Sequence, residues 1–259
     1  MSDYPAFAAL FRELGIDEPT PPFARWTSDL MRHTLVADDG VVRGYVSFYK
    51  LGNAGHVKNL VVARDARNLG VGARLMSAAA DMLGAVGASE WSLHVKANNA
   101  AAIYLYEKLG MRAEHRSTVV RLAWTDVAKL PAELTTVTSA SCEEDDDLER
   151  AFGLPSGRLA MVRRPDRVVL QLRDADLAVL GFGVFDPDFP GVTPFHVARP
   201  ALAAPLLASF RKHARHDYVQ IVVENHDELA STLCEAGATV RLRLLHYRGP
   251  LTTAVARCA

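Results

Sequence analysis

Cysteine is scarce in this 259-residue chain: Cys142, Cys234 and Cys258 are widely spaced and form no CxxC pair. An odd, scattered set supports neither a disulfide framework nor a zinc site, so no metal is expected, and it suits a reducing compartment, the cytoplasm. An excess of one charge is lacking too. The net charge of −1 offers nothing to nucleic acid or an anionic membrane surface, and neither is expected as a partner. No apolar run is long enough to span a bilayer. The opening "MSDYPAFAAL" has no basic stretch leading into an apolar one, so no signal peptide is expected. What is present is the ordinary composition of a globular protein, 49% hydrophobic and 23% charged, in a chain long enough for one or two cores.

Periodicity orders the first half. "TLVADDGVVRGYVSFYKL" reads as a β-hairpin, two β-branched runs around Asp39-Gly40. "GHVKNLVVA" is a further strand. From Gly72 the apolar residues Leu75, Met76, Ala79, Met82 and Leu83 recur at helical spacing, and Gly84 and Gly87 end the run. "WSLHV" is a strand, "NNAAAIYLYEKL" a helix closed by Gly110, and "TVVRLAW" a strand. The expected order is helix, hairpin, strand, helix, strand, helix, strand.

After Trp124 a proline and a polar Thr/Ser run predict a linker near 126–133. The acidic run "EEDDD" then opens a helix, with Ser141 and Glu144 at capping-box spacing. A solvated helix start explains that run more simply than a docking patch for a basic partner. The second half repeats the first in outline. "TPFHVA" parallels the strand before the glycine loop, and "YVQIVVENHDELASTLCEAGATV" parallels "WSLHVKANNAAAIYLYEKLGMRA". Asn98 and Gly110 are twelve residues apart, as are Asn225 and Gly237. This points to a duplication, with two domains of similar fold, 1–130 and 131–259.

"RNLGVGARLM", residues 67–76, stands where a strand hands over to a helix. The first turn of a helix carries N–H groups without intrahelical partners and a partial positive charge, so it suits a phosphate. Glycines let the backbone approach it. No lysine follows, so this is not the loop of nucleotide triphosphatases.

Arg67-x-x-Gly70-x-Gly72 resembles the R/Q-x-x-G-x-G/A signature of the GNAT superfamily of N-acetyltransferases. The segment Asn99-x-x-Ala102-Ile103-x-Leu105-Tyr106-Glu107-Lys108-x-Gly110-Met111 is similar to a second motif of that family, and the resemblance covers roughly 35–123. Arg64 and Asn68 depart from the family's usual Pro and Gly. The resemblance implies an α/β (α+β) fold, here two tandem GNAT-like domains, each a mixed, mostly antiparallel sheet flanked by helices. It implies acetyl-CoA as co-substrate, its pyrophosphate on the amides of Arg67, Asn68, Leu69, Gly70, Val71, Gly72 and Ala73. The pantetheine arm would lie along Leu60-Val61-Val62, on a strand splayed from strand 91–95, and an N–H near Val62 would serve the oxyanion. Asn99 would bond the pantetheine amides, or else simply cap its helix.

Tyr106 is the expected proton donor to the leaving thiolate, since a phenol keeps its proton at neutral pH. Asn99, Ala102 and Tyr106 share one helix face by their spacing. For the base, His56 at the start of the central strand is the nearest titratable candidate and His94 the second, each also readable as a structural histidine. In the second half "ARPALAAP" has no glycine, Pro200 and Pro205 lack amide donors, Leu233 stands at the Tyr106 position and His226 at that of Asn99. That copy is expected to keep the fold without the cofactor site. The reading is an acetyl-CoA-dependent N-acetyltransferase acting on a small-molecule amine, as a pseudo-dimeric monomer or a homodimer. Its alternatives are a peptide or protein amine as acceptor and a non-catalytic acyl-CoA-sensing module.

Overall fold

Gly40 carries φ +100°, the left-handed turn conformation that Asp39-Gly40 predicts. The computed structural model describes residues 3–15 and 20–251. By its contacts the chain divides into two units: one runs up to Glu114 and resumes at His246, and the other is His115–Leu245.

The first unit holds α1 (Tyr4–Arg12), the short turn α2 (Phe23–Arg25), the hairpin β1 (Thr34–Asp38) and β2 (Val42–Leu51), and β3 (Ala54–Val62). Then come α3 (Val71–Ala85), β4 (Glu90–Lys96), α4 (Ala100–Lys108) and the start of β5 (Arg112–Ala123). This is the expected order. α3 buries Val71, Leu75, Met76, Ala79, Ala80 and Leu83, one apolar stripe at helical spacing. It lies so close to the sheet that a Cβ on Gly55 would stand 2.5 Å from Leu83 Cδ1. Val61 belongs to a different cluster, where Phe7, Leu10 and Phe11 of α1 meet Trp26 and Tyr45.

In the second unit β5 is followed by β6 (Thr136–Ser139), α5 (Asp145–Ala151), α6 (Arg158–Val162), β7 (Val168–Arg173), β8 (Val179–Asp186) and β9 (Gly191–Val197). The chain continues through α7 (Ala203–Phe210), β10 (Tyr218–Glu224), α8 (Asp227–Glu235) and the start of β11 (Thr239–Pro250). The strand order is β5-β10-β9-β8-β7-β6, antiparallel except for the parallel pair β9–β10.

Three expectations need revision. The contacts divide at 114/115, inside the long strand β5, where 130/131 was expected, and the last residues of β11 return to the first unit. In that unit Leu251 N donates to Ser89 O at 2.9 Å, and Tyr247 is 2% exposed. The segment 126–133 is no loose linker: Trp124, Val127 and Leu130, spaced by three on a 3₁₀ turn, are buried in the second unit's core. The acidic run does open with the Ser141/Glu144 capping box, but Asp145 is buried and bonded to Arg163, so the run is only partly solvated.

Cys142 and Cys234 are free thiols, and Cys258 lies outside the described residues. Among the described residues no helix is long and apolar enough to cross a membrane.

Candidate active site

β3 and β4 run parallel but part early. Their pairing covers Ala54 to Val57 against Glu90 to Leu93, although β3 continues to Val62 and β4 to Lys96. Beyond Val57 the β4 side of β3 is open. The pairing with β2 says which groups face that opening. Ala63 N donates to Arg43 O at 2.8 Å, and Tyr45 pairs with Val61 in the same register. Hydrogen-bonded pairs alternate in an antiparallel ladder, so Val61 spends its peptide groups on β2, while Leu60 and Val62 turn theirs away from it. A lysine bulge at Lys58 precedes this stretch and bends the strand. Of the expected trio Leu60, Val61 and Val62, Val61 has its peptide groups in the ladder with β2 and its side chain in the α1 cluster.

The glycine loop follows directly. Gly70 is the N-cap of α3 at φ +76°, and no side chain caps this helix. The amides of Val71, Gly72 and Ala73 thus open the helix without a side-chain partner. Residues Arg67, Asn68, Leu69 and Gly70 are exposed, and Asn68 adopts φ +63°. A Cβ placed on Gly72 would stand 3.4 Å from Leu105 Cδ2, 3.7 Å from Val62 Cγ2 and 3.8 Å from Leu60 Cδ2. The loop, the open part of β3 and α4 therefore converge on Gly72. The Arg67 side chain turns elsewhere, with Nη2 on Glu13 at 2.8 Å and Nε on Val62 O at 3.1 Å. It braces the loop against Glu13, the C-cap of α1. A cavity of about 680 Å³ lies beside the loop, shares Leu69, Val71 and Arg74 with it, and is lined by none of Leu60, Val62, Asn99 or Tyr106.

α4 starts at Asn99, whose Oδ1 accepts from Ala102 N at 3.2 Å. Asn99 is thus the helix cap, and that oxygen is occupied. Tyr106, about two turns further on along the same face, is buried, and burial pushes its phenol up to about 12. Its ring lies 6.3 Å from that of Tyr247, whose hydroxyl donates to Glu107 Oε1 at 3.1 Å. His56 and His94 stand where the strands part: His56 is paired with Ser92 and shares a 3.0 Å hydrogen bond with its Oγ, and His94 follows the last pair on β4. Sequence reading passed over Tyr247, Glu13 and Ser92. "LLHYRGP" looks like any terminal strand, and nothing local says which strand it will join.

The second unit reproduces the frame without the loop. Ala198 N donates to Leu180 O at 2.8 Å, which turns the peptide of Val197 outward as for Val62. β9 and β10 pair only at Gly191 and Val192 before parting. His226 caps α8, accepting from Leu229 N at 3.3 Å, as Asn99 caps α4. The helix after β9, however, starts from Pro200 through buried Leu202 and Ala203, and Leu233 is fully buried. No exposed run of amides opens it.

Residues 4–111 match the acetyltransferase (GNAT) family. That match spans somewhat less than half of the chain. Solved structures of similar fold span nearly the whole chain. A GCN5-related N-acetyltransferase from Sphaerobacter thermophilus shares 18% identity over 96% of this chain and 93% of its own, with a TM-score of 0.68. A tandem GNAT protein from the clavulanic acid biosynthesis pathway gives 15% identity, 96% and 94% coverage, and 0.62. A GCN5-related N-acetyltransferase from Kribbella flavida gives 15%, 97% and 71%, and 0.57. At these identities the likeness is one of fold, a mixed α/β fold with a mostly antiparallel sheet flanked by helices. No curated protein matches in sequence. The family matched over 4–111 is one of acetyltransferases.

Proposed function

We propose that the chain is an acetyl-CoA-dependent N-acetyltransferase with its active site in the first unit and a small-molecule primary amine as acceptor. The observation that carries this is the meeting at Gly72 of an uncapped helix start, the unpaired edge of β3 and α4. The amides of Gly70, Val71, Gly72 and Ala73 hold the pyrophosphate, where the helix dipole favours negative charge. The outward peptide groups of Leu60 pair with the pantetheine arm, and the Val62 N–H, whose own carbonyl is held by Arg67, polarises the thioester carbonyl. The acceptor amine attacks that carbonyl directly, with His56 as base. Tyr106 keeps its proton at neutral pH and gives it to the departing sulfur. An acyl-CoA sensor has no need of such a donor, which favours catalysis over the sensing alternative.

The second unit is a duplicated copy that has lost the phosphate loop and keeps the fold, so the protein acts as a pseudo-dimer. Free cysteines and a near-neutral charge fit a cytoplasmic enzyme without nucleic-acid or membrane partners. The test is thiol release from acetyl-CoA against a panel of small amines and lysine peptides. Amine-dependent release supports the reading, a preference for peptides moves the acceptor class, and tight binding without release against the whole panel makes the protein a sensor.

A further inference from the structure

A row of side chains crosses the sheet of the first unit where β3 and β4 part. It runs from Tyr49 on β2 through His56 on β3 and His94 on β4 to His246 near the end of β11. Successive ring centroids are 5.0, 5.8 and 4.8 Å apart, and His246 Nδ1 meets Glu114 Oε2 at 3.0 Å. The first two histidines lie inside the sheet edge, and Glu114 at the far end is half exposed.

We propose that His56, His94 and His246 form a proton relay that carries the proton shed by the acceptor ammonium from the open end of the sheet to solvent at Glu114. This rests on the transfer reading above. The proton count requires such an exit. An alkylamine in neutral water is an ammonium, and only the free amine attacks. Acetylating R–NH₃⁺ forms one N–C bond, breaks the C–S bond and removes two protons from nitrogen. One of them ends on the sulfur by way of Tyr106; the other has to leave the protein.

In the tautomer whose Nδ1–H donates to Ser92 Oγ, His56 Nε2 has the lone pair that takes that second proton. His56 then releases its Nδ1 proton to Ser92 Oγ, whose own proton passes on toward His94; each following ring accepts at one nitrogen and releases from the other, over separations within reach of one bridging water. Glu114 stabilises the protonated form of His246 and hands the proton to bulk water. Charged groups around this exit include Arg248, 3.6 Å from Glu114 and itself bonded to Glu90, and His115, next to Glu114 in the chain; Lys58 lies exposed on the β3 bulge near the entrance. His94, His246 and Glu114 are positioning residues, acting through His56. The relay also gives the last strand a role, because His246 comes from β11 and from nowhere in the glycine-loop half.

The test uses the full chain with ¹⁵N-labelled histidine and the variants His246→Asn and Glu114→Gln. In a relay the rings titrate as a coupled set. His246→Asn is expected to move the His94 midpoint by about half a pH unit or more, and Glu114→Gln to lower that of His246, while His33 and His213 stay put. Unmoved midpoints overturn the relay. In kinetics with acetyl-CoA and the first amine the wild type accepts, His246→Asn is expected to cut kcat about tenfold at neutral pH, with the KM for acetyl-CoA unchanged. The loss should vanish above the pKa of the amine, where no proton need be removed. A deficit that is constant across pH is structural and overturns the proposal. Failure of the transfer reading itself would look different: no amine turned over, with the rings still coupled.

Discussion

Tyr247 donates its hydroxyl hydrogen bond to Glu107, one residue after Tyr106, and so fastens the end of the last strand to the helix that carries the expected acid. Around it Arg248 Nε holds Glu90 at 3.0 Å, and a Cβ on Gly249 would stand 2.9 Å from Met111 Cα. The first unit is therefore incomplete without residues some 130 positions beyond its glycine-loop half.

That dependence gives the first prediction. A chain ending at 245 loses buried Tyr247, the Arg248–Glu90 pair and the backbone bond to Ser89. Tyr247→Ala alone should cost about 3–5 kcal/mol by the usual penalty for emptying a buried aromatic site. Urea unfolding followed by tryptophan fluorescence measures it. Fragments ending at 130 or at 245 should unfold or show a raised acceptor KM, and a 1–130 fragment with full activity would deny the strand its supporting role.

Tyr106→Phe keeps the ring and deletes the proton donor. Turnover is expected to fall by roughly 10²–10⁴-fold, with acetyl-CoA affinity little changed. Steady-state kinetics and calorimetry on the same preparation separate the two effects. An unchanged rate would assign the protonation of the thiolate to water or another group. Burial pushes the phenol up to about 12 from its ordinary 10, so the unfolded chain gives up this proton first on the alkaline side. The contribution to stability is complete below about pH 10 and is lost as pH rises toward 12. Tyr106→Phe should flatten the alkaline limb of the stability curve.

The motifs were legible because they are local. Asp39-Gly40, the α3 stripe, the Ser141/Glu144 box and the spacing of Gly70 and Gly72 depend on residues within a few positions of one another. Two sets of features were not. That Asn99 caps its helix is visible only in the position of the Ala102 amide. The unit boundary and the surroundings of Tyr106 depend on where β11 goes, and strand partners far apart in the chain leave no mark on periodicity. The same holds for His246, which reads as an unremarkable strand residue until it stands beside His94.

In the second unit His196 is stacked on Phe152 at 5.3 Å, and its Nε2 is buried without a hydrogen-bond partner among the described residues. Desolvation, then the nearby charges of Arg158 and His226, lower it to about 4. The unfolded chain takes up this proton near pH 6.5 and the folded one resists it. Stability from this site is therefore full above about pH 6.5 and is lost as pH falls toward 4, up to about 3 kcal/mol in all. His196→Phe should remove that acid dependence. A denaturation midpoint in the variant that falls with acid as steeply as in the wild type would rule out His196 as its source.

The most direct measurement is calorimetric titration of the intact chain with acetyl-CoA, beside a Gly72→Val protein shown by circular dichroism to be folded. In Gly72→Val the added Cγ atoms would press into the space bounded by Leu60, Val62 and Leu105. One acetyl-CoA per chain is expected for the wild type and none for the variant, because the second unit has Pro200 and Pro205 where amide donors are needed. Two molecules per chain, or wild-type affinity in folded Gly72→Val, would contradict it.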